Sequence, residues 1–128
     1  MSLTVPVKLL EQAQQGPISD DDFVECIKNS LPYAWSVVSG LADEMARTGN
    51  KVALNDTEPP DEASWGQLFR LVGSDAMRGA VERRFGVRMA FQNCCKTGFF
   101  DPSATDEYAD FVTPRAQVLN QKPELINC

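Results

Sequence analysis

The chain has 128 residues, 43% of them hydrophobic and 23% charged. Those values fit one globular domain over residues 1–128 and exclude wholesale disorder. Histidine is absent and the net charge is −6, with a pI near 4.6. The first fact removes Ser–His–Asp and Cys–His catalysis within one chain, and the second opposes the basic footprint of a nucleic-acid binder. No run of apolar residues is long enough to span a bilayer, and the first 16 residues lack the pattern of a signal peptide. The expectation is a cytoplasmic protein with no membrane partner.

Charge is distributed unevenly. Residues 1–69 hold 4 basic and 11 acidic residues, residues 70–96 hold 6 basic and 2 acidic, and the remainder returns to acidic. The plain expectation is that the arginines of 70–96 pair with the acidic flanks of the same fold. The alternative is that they receive a small anionic ligand or an acidic partner.

Taken in chain order, 6–15 predicts a short helix with Pro6 in its first turn and Gly16 as its stop. Ser19 or Asp20 caps a second helix, in which Phe23, Cys26 and Ile27 share one face. Cys26 is therefore expected in the core as a small hydrophobe. Residues 32–47 give the strongest helical pattern, with Ala34, Val37, Val38, Leu41 and Met45 on one stripe and Gly49 as C-cap. The stretch 49–60 has no period and reads as a loop.

Asp61 opens a helix over 61–72 with Trp65, Leu68, Phe69 and Val72 on its apolar face. Ser74 caps the next, which buries Met77, Ala80 and Val81 and ends at Gly86. Residues 87–93 alternate polar and apolar, a strand signal, and Thr97-Gly98 reads as a turn. Asp101 to Ser103 lead into a helix near 104–112 with Tyr108, Phe111 and Val112 inward. After Pro114 a turn or two more follows, and Leu125 and Ile126 suggest that the tail docks. The sum is a mainly α domain of about five or six helices, with room for a short hairpin around 87–100.

The chemistry-bearing stretch is FQNCCK at 91–96. If it is extended, Cys94 and Cys95 point to opposite faces, one buried and one exposed. An exposed thiol near Lys96 and Arg88 would have cationic neighbours that favour the thiolate. The four cysteines, Cys26, Cys94, Cys95 and Cys128, are expected to be reduced, and their spacing lacks the paired short intervals of a zinc site. Asp43-Glu44 and Asp61-Glu62 read as caps and solvated carboxylates, and no cofactor motif is present. A pocket between 74–84 and 87–96 would gather Arg78, Arg88, Gln92, Asn93, Cys94, Cys95 and Lys96.

DFVECIKNSLPYAW, PPDEASWGQLFRLVGSDAMRGAVERRFGVRMAFQNC and LNQKPELINC together resemble a family of small actinobacterial proteins without an assigned activity. That resemblance covers nearly the whole chain and implies histidine in some members at the position of Cys95. It transfers no catalytic residue. The leading expectation is a non-enzymatic accessory or regulatory protein that binds another protein or itself. The alternatives are a protein or enzyme with the anionic-ligand pocket just described, and a metal or redox sensor built on the cysteines.

Overall fold

The computed structural model describes residues 3–120. Within them the order is α1 (Val7–Gln15), α2 (Asp20–Ser30), α3 (Pro32–Thr48), β1 (Val52–Asn55), α4 (Glu62–Gly73), α5 (Asp75–Phe85), β2 (Arg88–Gln92), β3 (Lys96–Phe100), α6 (Thr105–Phe111) and α7 (Pro114–Asn120). The protein is mainly α with one small antiparallel sheet. The predicted tail contacts of Leu125 and Ile126 lie outside the described residues.

Helix starts follow their caps. The side chains of Ser19, Asp61 and Ser74 accept the amides of Asp22, Ser64 and Met77 at 3.1, 2.8 and 3.2 Å, which satisfies donors that a helix cannot pair internally. Helix α3 has no cap of its own, because Leu31 precedes Pro32. Gln67 of α4 supplies it instead, its Oε1 accepting from the amides of Tyr33 at 2.7 Å and Ala34 at 3.4 Å. Gly49 and Gly86 end α3 and α5 with φ of 72° and 65°, conformations that cost a side-chain-bearing residue more.

The strands lie in the order β1-β3-β2. Thr97 of β3 sits between Asn55 and Phe91, and Gly98 between Leu54 and Ala90. Alternation sorts the side chains into two layers. Ala53, Met89, Phe91 and Phe99 face the helices α2 to α5, where Ile27, Leu31, Val38, Leu68, Leu71 and Val81 are almost wholly buried. Each such large aliphatic contributes roughly 1.5–3 kcal/mol by leaving water. On the other face Val52, Ala90 and Phe100 pack under Ala104, Tyr108 and Phe111 of the α6 region. The sheet is thus the middle of three layers.

Four expectations are corrected. The stretch 49–60 contains β1, an edge strand of four residues whose pairing partner lies more than forty residues away, beyond the reach of a local pattern. Thr97 and Gly98 are inside β3, and the turn is Asn93 to Cys95. Leu71 rather than Phe69 completes the buried face of α4, and Val112 points outward: Phe69 and Val112 remain 44% and 51% exposed.

Candidate functional site

The hairpin tip departs most from expectation. Cys94 and Cys95 both adopt the left-handed region, with φ of 67° and 62°. Two consecutive residues of this kind close a three-residue loop that the flanking alternation cannot reveal. The turn also removes the predicted split in exposure, since each cysteine is only 3% exposed. The Cys95 thiol donates to the Thr57 carbonyl at 3.4 Å, with the Asp56 carbonyl at 3.8 Å. Cys94 is disulfide-bonded, where the sequence pointed to a reduced thiol. Neither sulfur is the exposed nucleophile expected beside Lys96. Near this corner, burial raises the pKa of the Tyr33 phenol, with Cys95 and Asp61 adding to the shift.

Asn93 presents its backbone rather than its side chain to its neighbours. Its amide donates to Gln117 Oε1 at 3.1 Å and its carbonyl accepts from Asn120 Nδ2 at 2.6 Å. These two bonds clamp α7 to the hairpin tip. Helix α7 buries no residue of its own, so polar clamps rather than apolar packing hold it.

Two of the five arginines of 70–96 pair with the acidic flank, as the plain expectation held. Arg83 binds Asp20 with two hydrogen bonds, of 2.6 and 3.0 Å, and Arg84 pairs with Asp21 at 3.1 Å. The Arg83 hydrogen bond holds the Asp20 carboxyl below the usual carboxylate range. These links tie the acidic first turn of α2 to the basic last turn of α5. Arg88 stacks on the Tyr108 ring, 3.6 Å from its centroid. Arg78 donates to the Val72 carbonyl at 2.7 Å and to Asp75 at 2.6 Å.

Two hollows flank the α6–α7 layer. A cleft of about 450 Å³ is lined by Val72, Arg78, Phe91, Gln92, Tyr108 and Gln117 among others. A groove of about 690 Å³ on the outer sheet face is lined by Val52, Leu54, Lys96, Phe100, Arg115 and Leu119 among others. Gln92 and Phe111 belong to both and form the wall between them. Of the seven residues singled out in the sequence, the cleft brings together Arg78 and Gln92. Arg88 reaches its edge through Tyr108, Lys96 faces the groove, and Asn93, Cys94 and Cys95 make the turn. Among the described residues no three metal-ligating side chains gather at one point, and no helix is long and apolar enough to cross a membrane.

Gln92 is the residue whose role the sequence understated. It is 5% exposed, and its Nε2 donates to the Phe111 carbonyl at 3.0 Å. Among the described residues its Oε1 has no hydrogen-bond partner, and the buried Thr97 hydroxyl is in the same condition.

Residues 1–128 match the family described as NucS shadow ORF. The chain belongs to that family. No curated protein and no solved structure matches it.

Proposed function

We propose that this chain is a non-enzymatic accessory or regulatory protein of the actinobacterial cytoplasm that acts by protein–protein association, in the first place with a second copy of itself. The observation that carries the proposal is the open edge and outer face at β1. Asp101 donates to the Lys51 carbonyl at 2.8 Å. By antiparallel alternation, Ala53 and Asn55 also bond to β3, and the backbone groups of Val52 and Leu54 point to an edge that no strand pairs among the described residues. An unpaired edge is a template for another strand.

The side chains beside that edge support the same reading. Leu54 and Leu119 line the outer groove and are 44% and 66% exposed, with Val118 next to them at 71%. Lys96 and Arg115 share the groove with Asp56, Glu107 and Asp110, a rim of both signs that suits a self-complementary, two-fold contact. Two copies of β1 would pair antiparallel and make one continuous sheet.

Sedimentation equilibrium of the purified chain tests this. A concentration-dependent dimer that Leu54→Lys or Leu119→Asp dissociates supports the proposal. A monomer at all accessible concentrations refutes the self-association. A shadow open reading frame is one that overlaps another coding sequence, so the companion measurement is detection of this chain's own peptides in its host. Their absence would remove the cellular role and leave the physical chemistry of the chain untouched.

A further inference from the structure

The cleft on the other side of the Gln92–Phe111 wall carries a separate inference. We infer that it is a binding site for a small carboxylate that bears an N–H donor and an apolar body, chemically an N-acylated apolar amino acid. It does not rest on the association at β1. Three observations define the ligand.

The first is the orphaned acceptor. Gln92 is 95% buried, from its 5% exposure, and among the described residues Oε1 has no protein partner. Its orientation is fixed, because Nε2 is committed to the Phe111 carbonyl; exchanging the two ends of the amide would set oxygen against oxygen. A buried acceptor left unpaired is costly, and the cost is recovered when a donor is delivered to it. Gln92 lines both hollows, and the ligand that brings this donor is placed in the cleft because Arg78 lines the cleft and not the groove. The bonds from Gln117 and Asn120 to Asn93 are the contacts that its entry would loosen.

The second observation is Arg78. Its side chain is 34% exposed, and its partner Asp75 is 93% exposed. Two of the five guanidinium donors are used by Val72 and Asp75, which leaves three for a carboxylate. The solvated Asp75 pair is weak competition. The third is the remaining wall. Val72, Met89, Phe91 and Phe111 are apolar, and a volume of about 450 Å³ falls within the range of ordinary small-molecule sites, about 300–1,000 Å³. One cation, one acceptor and an apolar wall select the three parts of the ligand.

The probe is N-acetyl-L-leucine, titrated into the ¹⁵N-labelled full chain and followed by NMR. The Gln92 side-chain amide and the Arg78 Nε–H signals are expected to shift together and saturate. N-acetyl-L-leucinamide, which lacks the carboxylate, should bind about tenfold more weakly, and Arg78→Lys should weaken the acid by a similar factor. Gln92→Met, an apolar side chain of similar length, should also weaken it. The wild-type titration stands alone if that variant does not fold. No shift at Gln92 and Arg78 up to the solubility limit, or equal binding of the acid and the amide, would overturn the inference.

Discussion

Gly98→Ala should destabilise the protein although alanine is the better strand residue. Gly98 lies in the middle strand, flanked by Leu54 and Ala90. A Cβ built there would stand 2.6 Å from Phe100 Cε2, 3.0 Å from Phe100 Cζ and 3.1 Å from Leu54 Cδ2. Leu54 is partly exposed and can move aside. Phe100 cannot do so cheaply. Its ring is 1% exposed and wedged between Tyr108 and Phe111, with centroids 5.5 and 5.2 Å away. Overpacking of this kind costs about 1–3 kcal/mol, and the smaller entropy of an unfolded alanine chain returns about 0.4–1 kcal/mol. A net loss of about 1–2 kcal/mol lowers the melting midpoint by roughly 5 °C for a chain of this size.

The matched control is Gly40→Ala in α3, where a new Cβ meets nothing within 4 Å. It should stabilise by about 0.5–1 kcal/mol. Urea and thermal unfolding followed by circular dichroism would read both variants. If Gly98→Ala is neutral, or stabilising like its control, the packing argument at Phe100 is wrong.

Gln67→Ala removes the borrowed cap of α3 and should cost about 1–2 kcal/mol in urea titrations, with little change in m. Asp20, Asp61 and Asp101 all have lowered pKa values, from hydrogen bonds with Arg83, Ser64 and Ser103 respectively. Their stabilisation is complete above the ordinary carboxylate value of about 4 and fades as pH falls through the lowered values. The urea midpoint should therefore drop below about pH 4, and less steeply in Asp61→Asn. Cys26 and Cys95, 4% and 3% exposed, should resist alkylation in the native chain and react on unfolding, as peptide mapping would show. Rapid native alkylation of Cys95 would contradict the buried turn.

The helices were legible because their signals are local. Ser19, Asp61 and Ser74 announce their helices, and Gly49 and Gly86 end theirs. The sheet was less so. Val52 to Asn55 carries no period of its own, and its pairing with β3 spans the whole α4–α5 segment. Gly98 reads as a turn residue, yet it serves the close approach of Phe100 inside a strand. The real turn uses two left-handed cysteines, residues that no turn preference would nominate. That single misplacement also produced the expectation of one exposed thiol. Arg78 and Gln92 were singled out, and they do share a cleft. What composition could not supply was that one end of the Gln92 amide is paired and the other is not.

The proposed function stands on association through the β1 edge. Sedimentation equilibrium of wild type and Leu54→Lys over a wide concentration range tests it most directly, at low and at moderate salt. With a net charge of −6 per chain, like-charge repulsion between copies is screened by salt. The wild-type dimer should strengthen as salt rises, and the variant should stay monomeric with an unchanged melting midpoint. A wild-type chain that remains monomeric in both salts, or a dimer indifferent to Leu54→Lys, would contradict that association.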